Sequence, residues 1–312
     1  MDQKPVINYS SQFAFLLGLM GVCIVLSAFL VEFIGMRVLH VSFMQVPEEL
    51  NRPENVNLSR LLNTLASMLC FLLPALVLAR IVSKRPFFQL GFQSAISAKQ
   101  LLLVLVLTFT SILLSGALGE LNEWIPLPAK LYAEAKALED KYKAAMMSMA
   151  TMRTGVDYLL ALVVLAAAPA FFEEVLFRGG FQQVFVGWTK SKWAGIILTS
   201  ILFSAIHFSY FGFLPRLALG IVLGLIFYYS KNIWLNIFLH FLNNALVVTQ
   251  LYIMSQKGKP VEKTMDEKIP MWWGIIALAA LVIFFRSFKK ESTRVLAAKQ
   301  QMIHSSPENI LS

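Results

Sequence analysis

Charge is what this chain has least of. Asp, Glu, Lys and Arg make up 14% of its 312 residues, where a soluble domain carries about a quarter. A chain this long with so few charges cannot cover its own surface in water. Cysteine is almost missing too. Cys23 and Cys70 both lie in apolar runs, form neither a disulfide framework nor a metal-spacing pattern, and read as packing residues. No internal repeat, low-complexity stretch or second soluble domain interrupts the sequence. No basic face interleaved with aromatics accompanies the formal charge of +9, so nucleic acid is not an expected partner. A His-Glu-x-x-His zinc helix and a Gly-x-Ser-x-Gly nucleophile turn are both lacking. Ser204 and Ser209 lie near histidines, but neither sits on a sharp Gly-flanked turn.

What is present is apolar: 57% of the residues, gathered into long runs. Eight of these, at 13–35, 61–80, 101–119, 158–185, 193–209, 215–230, 232–251 and 270–286, approach the roughly 20 residues that cross a bilayer. Backbone groups cannot go unpaired in lipid, so the runs must be helices. The expected fold is an all-α polytopic bundle of about eight spans, one integral membrane domain over 1–312. The first run is too long for a signal-peptide core and reads as a retained span. Arg80, Lys84, Arg85 and Lys99 in one loop, Lys190 and Lys192 in another, and a basic tail over 287–312 put both termini in the cytoplasm. Basic residues beside the spans would also meet anionic headgroups.

Between the third and fourth runs, 130–152 interleaves Glu134, Lys136, Glu139, Lys141 and Lys143 with Leu131, Ala135 and Leu138. That pattern predicts an amphipathic helix at the membrane surface, with a substrate gate as the less favoured role. Pro74 is expected to kink the second span. Gly220 and Gly224 predict close helix packing.

Ionisable groups inside spans are costly and point to function. They concentrate in three runs over 158–251, the expected catalytic core. Glu173, Glu174 and Arg178 follow one another in the fourth. Glu174 and Arg178 are four apart and share a helix face, where an ion pair offsets part of the burial cost. Glu173 points about 100° away and is left for chemistry. The fifth run carries His207; the seventh carries Asn236, His240 and Asn244 on one stripe, with Asn243 beside it. His40 and His304 lie in a loop and the tail and receive no role, while Glu32 in the first run reads as snorkelling or locally paired.

Two chemistries stay open on this inventory. Glu173, His207 and His240 match a His₂Glu zinc site with an open position for water. Without metal, Glu173 oriented by His207 is a general base for water, and His240 and Asn244 donate to an oxyanion. By helical rise Glu173 lies about 20 Å from the outer end of its run and His207 about 20 Å from the inner end of its own, depths that do not coincide on an eight-span map.

At these residues the sequence resembles the CAAX-protease and bacteriocin-processing (CPBP, or Abi) membrane proteins, related to the type II CAAX prenyl endopeptidase. The marks are Glu173-Glu174-x-x-x-Arg178, Phe203-x-x-x-His207 and His240-x-x-x-Asn244, in order over about 75 residues. The resemblance implies an eight-helix intramembrane endopeptidase, usually labelled a metalloprotease. It carries Glu173 as base or ligand, Glu174 and Arg178 as supporting residues, and His207, His240 and Asn244 as site residues. The expected partners are the bilayer and a peptide or protein substrate, with a lipid modification as one option. Short loops and the lack of organelle signals suggest a bacterial plasma membrane. The alternative is a non-catalytic binding or immunity protein, or a transporter, using the same cluster. A transporter would show paired repeats with broken helices in both halves, whereas the polar groups here fall in one half.

Overall fold

The computed structural model describes residues 7–257 and 270–304, and among these the regular elements are helices, with no strand. The long ones are α1 (Tyr9–Leu39), α2 (Pro53–Val82), α3 (Ala98–Glu123), α4 (Ala129–Met149), α5 (Gly155–Thr189), α6 (Lys192–Ala205), α7 (Phe213–Ser230), α8 (Ile233–Gln256) and α9 (Met271–His304). Seven of them, all but α4 and α6, are long and apolar enough to cross a membrane. Their outward faces are apolar: Val25, Phe29, Leu102, Leu159 and Ile275 are all exposed. In water such faces would aggregate; in lipid they are at home.

The fifth expected span is corrected. The apolar run at 193–209 yields α6, which stops at Ala205 after 14 residues, about 21 Å against a hydrocarbon core of about 30 Å. The chain turns back through 206–212 into α7. About eight spans become seven and one short apolar helix.

Prolines explain two of the wider turns. Met68–Leu72 of α2 and Leu162–Ala167 of α5 are π-helical, and Pro74 and Pro169 follow them. Proline has no N–H to donate and its ring crowds the carbonyl four residues back, so the preceding turn widens. A third π turn, Val175–Gln182, has no such proline. It follows Glu173 and Glu174 directly, and π turns of this kind gather at functional sites.

Small residues let α6 and α7 approach closely. A Cβ at Gly220 would stand 2.9 Å from the Ser200 Cβ and 3.1 Å from its Cα, and one at Gly224 would stand 2.8 Å from the Ile196 Cγ2. Ser200 presents backbone there and cannot rotate away. Gly220→Val is therefore expected to destabilise the protein by about 1–3 kcal/mol, read as a lower midpoint of unfolding in detergent; an unchanged midpoint would mean that the helices do not touch there.

Helix α9 continues past 286 and lies along α3. Phe288 and Ser292 are fully buried; Ser292 Oγ accepts from Gln100 Nε2 at 3.0 Å, and Glu291 accepts from Ser97 Oγ at 2.7 Å. Residues 305–312 of the expected tail lie outside the described residues.

Candidate active site

Glu174 is the fixed point of the cluster. It is fully buried, as is Arg178, and its two oxygens accept three hydrogen bonds. Arg178 Nε donates to Oε2 at 2.9 Å, Asn236 Nδ2 donates to the same oxygen at 3.2 Å, and His240 Nδ1 donates to Oε1 at 3.1 Å. Asn236 also donates to the Leu223 carbonyl at 2.7 Å, so one carboxylate ties α5, α7 and α8 together. The Arg178 guanidinium covers the Phe203 ring at 5.4 Å. Its Nη1 and Nη2 are buried with no hydrogen-bond partner among the described residues, and the ring face is the only negative surface this contact offers them.

Glu173 differs from its neighbour in every respect but charge. It is nearly buried and makes no hydrogen bond among the described residues. Its Oε2 lies 3.9 Å from His240 Nε2, too far for a direct bond and close enough for one oxygen atom to bridge both groups. His240 thus faces a carboxylate from each ring nitrogen.

His207 sits two residues beyond the end of α6. Its Nδ1 lies 2.8 Å from the Phe203 carbonyl. A carbonyl only accepts, so Nδ1 carries the hydrogen and Nε2 of the neutral ring is left as an acceptor. The Phe203 ring is the shared wall of both imidazoles, 5.2 Å from His207 and 5.9 Å from His240 between centroids. Asn244 lies one turn beyond His240 and accepts from Asn243 at 3.2 Å, leaving its own amide hydrogens to donate. No direct hydrogen bond joins His207 or Asn244 to Glu173.

The depth conflict is resolved by where the helices end. Measured from the adjoining ends of α5 and α6, at Thr189 and Lys192, Glu173 lies about 24 Å along one helix and His207 about 22 Å along the other. The turn at 206–212 therefore falls at the level of Glu173, because α6 stops short.

That turn is fastened on all sides. Ser204 Oγ donates to the Phe213 carbonyl at 2.7 Å; Asn122 of α3 donates to the Tyr210 carbonyl at 2.9 Å and accepts from the Leu214 N–H at 3.0 Å. Ser209 Oγ donates to Glu139 of α4 at 2.6 Å and accepts from the Gly212 N–H at 3.2 Å. Phe208, directly after His207, is held at φ 49°, a region that costs a non-glycine residue free energy and persists only where its surroundings impose it. Helix α4 also packs Tyr132 on Phe211 at 5.9 Å. Its C-terminal end is capped by buried Arg60, which donates to the carbonyls of Met149 at 2.9 Å and Thr151 at 2.8 Å. The amphipathic pattern of 130–152 marked a helix but not the use of Glu139, since a charged face reads the same toward water or toward a partner.

Arg216, in the first turn of α7, is the residue that sequence reasoning missed. It carries charge within electrostatic reach of both Glu173 and His207 and lies over the Tyr142 ring of α4 at 5.5 Å. It stands at the edge of an apolar run and belongs to none of the three motifs. The zinc set is a different matter. Among the described residues no three His, Cys, Asp or Glu side chains form a group that could hold a metal ion. As placed, Glu173, His207 and His240 do not fit one.

Fold and site together define a polytopic helical membrane protein with a buried carboxylate, imidazole and guanidinium cluster. Residues 155–246 match the model of the family described as type II CAAX prenyl endopeptidase Rce1-like, so this segment is similar to the CAAX-protease family. The match is less than a third of the chain, but it spans α5, α6, α7 and the first half of α8, with all three motifs. No curated protein and no solved structure matches the chain.

Proposed function

We propose that this protein is a membrane-embedded endopeptidase that hydrolyses a peptide bond of a membrane-associated peptide or protein. The observation that carries the reading is the division of labour between the two adjacent glutamates. Glu174 is saturated by Arg178, Asn236 and His240, while Glu173 faces His240 Nε2 at 3.9 Å with its oxygens otherwise uncommitted. One carboxylate holds the architecture and the other is free for proton transfer.

In this mechanism a water oxygen adds to the scissile carbonyl carbon as Glu173 takes its proton. His207 Nε2 accepts a hydrogen bond from the same water and orients it. The carbonyl π electrons move onto oxygen, and Asn244 Nδ2, with His240 Nε2 when that ring is protonated, donates to the oxyanion. Collapse breaks the C–N bond, and the leaving amine takes the proton back from Glu173. Peptide and water become acid and amine, with no net change in the enzyme. A lipid anchor on the substrate would suit a site reached from the bilayer.

The basic residues of the loops at 80–99 and 190–192, each an even number of spans from the N-terminus, support a cytoplasmic N-terminus, checked by a reporter fusion at that end. The test of the function is cleavage of a quenched fluorescent peptide library by the purified protein in detergent, with and without a chelator. Cleavage that persists in chelator supports the carboxylate mechanism; cleavage that stops supports zinc on Glu173, His207 and His240. No cleavage by a folded wild type favours a non-catalytic binding or transport role.

A further inference from the structure

Counting charge at the cluster exposes an imbalance in the mechanism above. Glu173 and Glu174 are two buried carboxylates, and Arg178 is committed to Glu174. As water adds, its proton neutralises Glu173 and one negative charge moves to the carbonyl oxygen, with only an amide and an imidazole to receive it. Arg216 is a second cation at the same site. Its Nη1 is buried and has no hydrogen-bond partner among the described residues. A guanidinium N–H out of water and unpaired is costly and calls for a reason. Its field reaches both Glu173 and His207, the two groups between which the attacking water would sit, yet it is bonded to neither.

The guanidinium is also held in position. Tyr142 of α4 lies beneath it at 5.5 Å, and its main-chain N–H donates to the Gly212 carbonyl at 3.1 Å. A Cβ on Gly212 would collide with Nη1, so glycine leaves the space that the guanidinium occupies. Gly212 is in turn tied through Ser209 to Glu139. A residue needed only as a counter-ion for Glu173 would be expected to bond it directly.

Resting on the peptidase reading, we infer that Arg216 is a further catalytic residue, whose Nη1–H donates to the substrate's scissile carbonyl oxygen and holds it as it becomes an oxyanion. No proton leaves Arg216: the hydrogen bond shortens as charge builds on oxygen and relaxes when the C–N bond breaks. Because this bond is stronger in the transition state than in the bound substrate, its loss falls on kcat more than on KM.

The experiment compares wild type, Arg216→Met, Arg216→Lys, Gly212→Ala and Glu173→Gln on a cleaved peptide from the quenched library, with unfolding midpoints measured alongside. Arg216→Met is expected to lower kcat by about 100-fold or more, with KM changed by less than about threefold. Free guanidinium should restore part of that loss in Arg216→Met and none in Glu173→Gln. Arg216→Lys should fall between, and Gly212→Ala, which shifts the guanidinium without removing it, should lower kcat at an unchanged midpoint. If Arg216→Met does not fold, Gly212→Ala and Arg216→Lys decide. Variants at 216 and 212 with wild-type kcat, or a loss confined to KM, overturn the inference and leave the peptidase reading intact as long as Glu173→Gln is dead. A folded wild type that cleaves nothing removes both.

Discussion

Glu173→Gln is expected to lower turnover by about 10³-fold or more and at the same time to leave the protein as stable as before, or more so. The first half follows from the proton transfer assigned to this carboxylate, since general-base catalysis contributes about 10²–10⁴-fold. The second half follows from its surroundings. Glu173 makes no hydrogen bond among the described residues, its nearest opposing group being His240 Nε2 at 3.9 Å, and burying a carboxylate without a hydrogen-bond partner is costly. Glutamine keeps the shape and removes the charge. The combination separates catalysis from architecture, because a structural residue that loses activity also loses stability. The measurement is turnover of a cleaved peptide beside the unfolding midpoint in the same detergent. Activity within threefold of wild type would sink the assignment; a lost fold would mean that Glu173 is structural.

Arg178→Ala should do the reverse. It leaves Glu174 fully buried with its charge opposed only by His240 and the Asn236 amide, and removing one partner of such a pair costs about 3–5 kcal/mol. Arg178→Lys should recover little, because the bond to Glu174 is made by Nε while the rest of the planar group covers Phe203, and a single compact ammonium cannot do both at once. Pairing Arg178→Met with Glu174→Gln should cost less than Arg178→Ala alone, since no unopposed charge is then left inside. Unfolding free energies of the single and double variants check this. Additive losses would show that the two side chains are not energetically coupled.

The two predictions rest on different kinds of information. The bond between Glu174 and Arg178 was legible in the sequence, because four residues along a helix return to the same face whatever surrounds it. Asn236, on the stripe with His240, was visible as a polar group in a span, but its bond to Glu174 joins two helices 62 positions apart, a distance no periodicity encodes. Arg216 went unread for a related reason. At the end of an apolar run an arginine is ordinary, and only the return of the chain through 206–212 turns that end inward.

By itself, then, the sequence determined the class of fold and the chemical inventory. Scarcity of charge and the length of the apolar runs leave only membrane helices, because lipid offers the backbone no hydrogen-bonding partner. The spacing within each motif determined which side chains share a helix face. Tertiary structure decided the rest: that α6 ends at Ala205 and the chain turns back there, that Glu139 of α4 fastens Ser209 beside His207, and that Glu173 keeps its oxygens free while Glu174 spends both of its own. These are outcomes of packing between segments distant in the chain, where glycines at 220 and 224 set how near two helices come and a neighbour's side chain sets where a turn can stop. Local pattern has no access to such distances, so the residues of the site could be named from the sequence while their division of labour could not.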